Sequence, residues 1–195
     1  MKVRGVAASF ALVALTLSCP SGPLEAAPAF SDGLCPDATP VGQRINALNA
    51  QATPPSNADQ LAAARAFAAA YRACAKSFDA QTTQRNDVGA MNSTDGTIVG
   101  RTYARVQEAR AEERIGDDLA QTNDSVGAKA AYSSAISLLD EIGGIASGGA
   151  RFGGGAEPKL VAEADALRTE VQARRAALAA ASPASATSAS PAQSR

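Results

Sequence analysis

The chain has 195 residues, of which 47 are alanine, while histidine and tryptophan are absent. Its 18 basic and 19 acidic residues nearly cancel, so the net charge does not favour a nucleic-acid partner, which would require a basic surface. Without histidine, the chain cannot form a Ser-His catalytic pair, an HExxH zinc site or a CxxCH haem site. We predict one domain with tails, no nucleic-acid partner, and no cofactor or metal.

The first 29 residues have the pattern of a secretory signal peptide. Lys2 and Arg4 precede an uncharged, mostly apolar run at 6–17, which is shorter than the roughly 20 residues of a membrane-spanning helix. A small-residue motif at 27–29 then predicts cleavage after Ala29. We therefore expect an exported protein, periplasmic or extracellular, with no membrane span.

A second interpretation of this segment involves Cys19. Ser18 and Cys19 resemble the end of a bacterial lipobox, although Thr16 stands where that pattern prefers leucine. The resulting alternative is a structural lipoprotein anchored at Cys19. Cleavage after Ala29 is the prediction that we retain, and it leaves no lipid anchor.

Two cysteines, Cys35 and Cys74, would remain in the mature chain. In an exported protein a cysteine pair more often forms a disulfide than a metal site. A redox-active pair usually has CxxC spacing, whereas these residues are 39 positions apart. The sequence therefore predicts a structural disulfide between Cys35 and Cys74.

Turn-forming residues divide the mature chain into predicted helices. Residues 30–39 are rich in proline, glycine and aspartate and predict an extended N-terminal arm. Beyond it, apolar residues recur three or four positions apart, as in amphipathic helices. Prolines, glycines and polar turns delimit five predicted helices, which run from 40 to the prolines at 54 and 55, and over about 56–79, 97–121, 125–142 and 157–180.

Several local signals support these limits. Ser56 and Asp59 form a capping-box pattern, and Gly143 is placed as a left-handed cap of the fourth helix. From residue 181 onward the composition of Ala, Ser, Pro, Thr and Gln predicts a disordered C-terminal tail, 181–195. Because no run alternates apolar and polar residues over the length of a strand, we predict an all-α domain of antiparallel hairpins, or a bundle, over 40–180.

The third and fourth predicted helices resemble a single, degenerate tetratricopeptide unit near 109–142. The sequence departs from that family's pattern at Glu112, Asn123 and Asp140, and a shift by about 34 residues finds no second copy. Any alanine-packed helical hairpin is the alternative explanation. The resemblance implies close helix packing and binding of a peptide or protein on a concave helical face. The residues that carry it are Ile115, Gly116, Leu119, Ala128, Tyr132 and Ala135.

The densest ionic stretch combines five carboxylates with three arginines. Carboxylates four residues apart on a helix could hold a hard cation or serve as a general acid and base. We predict instead a solvated face that is neutralised within the helix, by Arg110 with Glu113 and by Arg114 with Asp117 or Asp118. The alternative is an envelope hydrolase or metal-binding protein. The stretch comprises Glu108, Glu112, Glu113, Asp117 and Asp118, with Arg105, Arg110 and Arg114.

Two further features are a glycine-rich segment and three tyrosines. Residues 143–156 contain seven of the 16 glycines but match no nucleotide-binding motif, so we predict a flexible connection. Tyr71, Tyr103 and Tyr132 lie on apolar stripes and predict core residues with hydroxyls at the rim. Taken together, the residues favour a non-catalytic exported helical protein that binds a protein or peptide.

Overall fold

The computed structural model describes residues 31–87, 94–150 and 157–181, and over these residues every regular element is helical. The predicted all-α class is therefore confirmed. The predicted signal peptide, with Cys19 and Ala29, and the tail from residue 182 lie outside the described residues. The elements are α1 (Ser31–Leu34), a 3₁₀ turn (Pro36–Ala38), α2 (Thr39–Asn49), α3 (Asn57–Asp87), α4 (Thr94–Gln121), α5 (Ser125–Ala150) and α6 (Pro158–Ala181).

Helix α4 lies at the centre of the array. It packs against α3, α5 and α6, while α5 also packs against α6 and α2 lies on α3. Over the described residues, α3 shares no comparable packing with α5 or α6. The long helices therefore form a layered array and not a closed four-helix bundle. None of the described helices combines the length and the apolar character needed to cross a bilayer.

Side-chain caps explain where two of the helices begin. The Asp59 N–H donates to Ser56 Oγ (3.2 Å), and the Ser56 hydroxyl donates to the Asp59 carboxylate (2.6 Å), so the predicted capping pattern is confirmed. At α5, the Asp124 carboxylate accepts a hydrogen bond from the Gly127 N–H (2.9 Å). Asn123 adopts a φ of 63°, which reverses the chain between α4 and α5.

The N-terminal arm is not extended, so that prediction is wrong. Residues 31–34 and 36–38 form helical turns, and α2 begins at Thr39. Pro36 is compatible with the first turn of a helix, and the disulfide from Cys35 to Cys74 ties this segment to α3. Burial of Cys35 and Ala38 holds the turns against the core. The predicted disulfide itself is present.

Predicted helix ends are also wrong: α2 ends at Asn49, before the prolines at 54 and 55, and two other helices continue beyond their predicted ends. α3 continues from residue 79 to Asp87, and α5 continues past Gly143 to Ala150. Glycine disfavours a helix by about 1 kcal/mol per residue relative to alanine, but it neither removes a backbone N–H nor forces termination. The buried Ile142 anchors this turn of α5, so Gly143 is an exposed helical residue and not a cap. Residues 151–156 lie outside the described range.

The core combines alanines with a small number of large side chains. Tyr71, Tyr103 and Tyr132 are all buried, as predicted, and Phe67 contacts Tyr71 edge to face at a centroid distance of 4.7 Å. Tyr71 contacts Tyr103 across α3 and α4 in the same manner, at 6.1 Å. The Tyr132 side chain is only 3% exposed and its hydroxyl donates to Asp117 (2.7 Å), so it is bonded within the helix array and not at an open rim.

Candidate functional site

The ionic stretch of α4 lies inside the helix array. Glu108 is only 1% exposed and Asp118 only 2%, so the predicted solvated face is wrong. α4 contacts three other helices, and this leaves little of its circumference for solvent. A carboxylate in such a position loses hydration and requires compensating partners. Those partners are arginines, several of them supplied by neighbouring helices.

On the α3 side, one arginine bridges two of the glutamates. Arg72 Nε donates to Glu108 Oε1 (2.7 Å), and Arg72 Nη2 donates to Glu112 Oε1 (2.9 Å). Arg105 Nη1 donates to the other carboxylate oxygen of Glu108, Oε2, at 2.8 Å. The hydrogen bond to Glu108 raises the pKa of Arg72 above its ordinary value, and burial raises the pKa of Glu112. Both glutamates therefore link α4 to α3.

On the α6 side, Arg174 serves a second group of carboxylates. It contacts Glu113 (3.2 Å), Asp117 and Glu170 (2.6 Å), while Asp117 also accepts the hydroxyl of Tyr132. Burial raises the pKa of Glu113 to about 7. Burial alone would lower the pKa of Arg174, but hydrogen bonds to Glu170 and Asp117 raise it. One guanidinium thus connects α4, α6 and, through Asp117, α5.

Of the two ion pairs predicted within α4, one is present and the other is not. Arg114 contacts Asp118 at 3.1 Å, as the helical spacing predicts. Arg110 does not pair with Glu113 but reaches Glu163 on α6, at 2.9 Å. Its correct partner lies 53 positions away in the chain, beyond the range of any local spacing rule. The stretch is neutralised mostly between helices and only partly within α4.

Glu112 and Asp117, the carboxylates that a hydrolase would use, each contact an arginine. Across the ranges that the structure describes, no three acidic, cysteine or histidine side chains form a group that could hold a metal ion. A carboxylate oxygen that accepts a hydrogen bond from a guanidinium is engaged by that contact and is not free to take a proton from a substrate. The arrangement is suited to holding helices together.

The six residues of the tetratricopeptide resemblance meet where α4 packs on α5. All six are buried, and a Cβ added to Gly116 would lie 2.6 Å from Tyr132 Cδ1, so only glycine leaves room for that ring. The resemblance predicts this close approach, and kinship with the family stays a prediction. A similar contact between Gly100 and Phe78 joins α4 to α3. We did not predict it, because no local pattern distinguishes Gly100 from other glycines.

A second candidate site is the α5–α6 groove, a surface groove of about 450 Å³. Its lining residues come from two segments that are 39 or more positions apart, so the sequence alone did not indicate it. Val126, 79% exposed, lies one turn from Lys129 on the same face of α5. The lining residues are Lys129, Ser133, Gln172, Arg175, Ala176 and Ala179.

No protein-family model, curated protein or solved structure matches the chain. Function is therefore inferred from the chemistry of its described residues. Two features bear on it: the arginine-bound carboxylates of α4, and the exposed α5–α6 groove.

Proposed function

We propose that the chain is an exported, non-catalytic helical protein that acts as a protein or peptide interaction module of the bacterial envelope. The observation that carries this proposal is the state of the α4 carboxylates, the strongest candidates for chemistry in the sequence. All five contact an arginine, and the arginines of α3 and α6 make these contacts between helices. The acidic residues thus account for cohesion of the array, while exposed faces are left for recognition.

Two observations support export. The N-terminal pattern predicts cleavage after Ala29, and the Cys35–Cys74 disulfide fits an oxidising compartment. Mass spectrometry of the mature protein tests this part of the proposal. We expect an N-terminus at Phe30 and a mass lower by two hydrogens than that of the reduced chain. A diacylglyceryl group on Cys19 would establish the lipoprotein alternative instead, and an unprocessed N-terminus would contradict export.

Site-specific photo-cross-linking tests the interaction function. A photo-reactive amino acid is introduced singly at three exposed alanines: Ala176 in the α5–α6 groove, Ala69 on α3 and Ala162 on α6. Each purified chain is irradiated with the envelope fraction of the producing cell. We expect a discrete product from at least one position, which disappears when excess unlabelled chain competes. Absence of any competed product at all three positions would contradict an interaction module.

A further inference from the structure

The α5–α6 groove carries two positive charges and no negative one. Lys129 on α5 and Arg175 on α6 line it, together with Ser133, Gln172 and two alanines. Neither cation forms an ion pair with any described residue, whereas most arginines of the helix array do. These two side chains have no counter-charge among the described residues, and an anionic ligand would supply one.

The contrast between adjacent arginines shows how the groove differs from the interior. Arg174 contacts three carboxylates, whereas the Arg175 guanidinium makes, with the residues that the structure describes, one long hydrogen bond, from Nη1 to Ser133 Oγ at 3.4 Å. The Ser133 hydroxyl donates to the Lys129 carbonyl at 2.8 Å, which turns its oxygen lone pairs towards the guanidinium. Ser133 thus contacts Arg175 but carries no charge that would neutralise it.

Three carboxylates that flank the groove residues along α5 and α6 have partners of their own. Glu170 contacts Arg174, and Asp140 contacts Arg168, about two turns from Arg175 along α6. Asp124, at the start of α5, accepts the N–H of Gly127. Glu170 and Asp140 are thus paired with other arginines, and no carboxylate lines the groove beside Lys129 and Arg175.

An apolar edge accompanies these charges. Val126 is 79% exposed and lies on the same face of α5 as Lys129, and Ala176 and Ala179 line the α6 side. A ligand that matches both features has a carboxylate close to an apolar side chain. Peptides with glutamate or aspartate next to leucine or valine meet this description.

We propose that the α5–α6 groove binds an acidic peptide segment, with a carboxylate between Lys129 and Arg175 and a neighbouring apolar side chain against Val126 and Ala179. This inference rests on the proposed interaction function and specifies the chemistry of the partner. Because both cations are exposed, binding is weak and falls with increasing salt. Removal of either cation weakens binding about fivefold, the factor that corresponds to one exposed charge pair.

Fluorescence anisotropy with the full mature, disulfide-bonded chain tests the proposal. The probe is a fluorescein-labelled peptide of alternating glutamate and leucine, and its control replaces each glutamate with glutamine. The variants are Lys129→Glu, Arg175→Glu and the double substitution. Lys76→Glu is the matched control, since Lys76 is an exposed cation on α3 outside the groove. Titrations at about 20 and about 200 mM salt bracket the range over which screening becomes strong.

We expect the glutamate peptide to bind at least about tenfold more tightly than the glutamine peptide at low salt. Lys129→Glu and Arg175→Glu should each weaken binding about fivefold or more, while Lys76→Glu leaves it unchanged. Where a charge-reversal variant loses helicity by circular dichroism, Lys129→Gln and Arg175→Gln replace it in the same comparison. The proposal is overturned if the glutamate peptide does not bind, or if Lys76→Glu weakens binding as much as the groove variants do.

Two further outcomes assign the groove to a different occupant and also overturn the proposal. The first is a concentration-dependent dimer, seen by sedimentation, that the double variant abolishes while no peptide binds. The second is binding to phosphatidylglycerol vesicles, abolished by the double variant, without peptide binding. A competed cross-linked product at any of the three positions, together with no preference for the acidic peptide, leaves the interaction function standing and refutes only this inference.

Discussion

Two helical glycines, Gly116 and Gly143, occupy opposite environments. A Cβ at Gly116 would meet the Tyr132 ring, which is buried and bonded to Asp117, whereas a Cβ at Gly143 meets nothing within 4 Å. Gly116→Ala should therefore lower the free energy of unfolding by about 1–3 kcal/mol through overpacking. Gly143→Ala should raise it by about 0.5–1 kcal/mol, because alanine is the better helix former.

Urea denaturation of the oxidised chain measures both changes. Gly143→Ala serves as the control for helix propensity, since both glycines lie within helices. A stabilising effect of both substitutions would show that the ring moves aside freely and that Gly116 is not needed for close packing.

Glu113 should give the chain a characteristic pH dependence. Burial raises the pKa of this carboxyl from 4.5 to about 7 in the folded state, so between these values the folded chain binds more protons than the unfolded chain. The stability contributed by the protonated form is therefore lost as the pH rises from about 4.5 to about 7. Glu113→Gln, which stays neutral, should gain up to about 3 kcal/mol relative to the wild-type chain between about pH 4 and about pH 8.

Urea denaturation of both chains at several pH values measures this difference. Glu170→Gln is the matched control, because Glu170 contacts the same arginine from a more exposed position. Parallel stability curves for Glu113→Gln and the wild-type chain would contradict a raised pKa at Glu113. Nothing in the local sequence predicts this shift, because the burial that raises the pKa of Glu113 arises from packing between helices.

At the scale of helices, ion pairs of α4 should differ widely in their effect on stability. Glu108 lies inside the α3–α4 contact and accepts hydrogen bonds from Arg72 and Arg105, whereas Glu163 pairs with Arg110 in a partly exposed position. Glu108→Gln should lower the free energy of unfolding by about 2–4 kcal/mol, because it removes the buried negative charge to which both guanidinium groups donate and leaves their remaining contacts with more exposed carboxylates. Glu163→Gln should change it by less than about 1 kcal/mol.

Thermal and urea unfolding of the two variants provide the comparison. Both substitutions preserve side-chain shape and differ mainly in depth within the array. Equal effects would mean that burial of Glu108 has no energetic consequence, which would contradict the cohesive role assigned to the α4 carboxylates.

Helix limits were predictable where a side chain caps the backbone and unpredictable where packing overrides a weak signal. The capping interaction of Ser56 with Asp59 is local, so the start of α3 could be inferred from the sequence. Gly143 only weakens a helix, and the buried turn at Ile142 carries α5 beyond it. The helical turns of residues 31–38 likewise depend on contact with α3, which no local pattern encodes.

At the scale of the whole molecule, the disulfide ties the N-terminal turns to α3. Replacement of Cys35 and Cys74 by serine should lower the free energy of unfolding by about 4 kcal/mol, the entropy estimate for a closed loop of 39 residues. The helical content should remain, because the contacts among α3, α4, α5 and α6 do not involve this bond.

Denaturation of the wild-type chain with and without reductant, beside the double variant, measures this contribution. Reduced wild-type protein and the variant should behave alike. A variant as stable as the oxidised wild-type chain would show that the N-terminal turns hold their position without the bond. Complete loss of helicity would show instead that the array depends on it.

The sequence by itself determined the helical class, the choice of cysteine partners and the close glycine–tyrosine approach between α4 and α5. The helical class follows from the spacing of apolar residues and the cysteine pairing from the small number available, whereas the glycine–tyrosine approach was implied by the tetratricopeptide resemblance. Only the tertiary structure decided that α4 is central, that its carboxylates are buried against arginines of α3 and α6, and that Lys129 and Arg175 share a groove. Helical periodicity places residues on a common face, but the neighbour of that face, which determines burial and charge pairing, depends on contacts between distant parts of the chain.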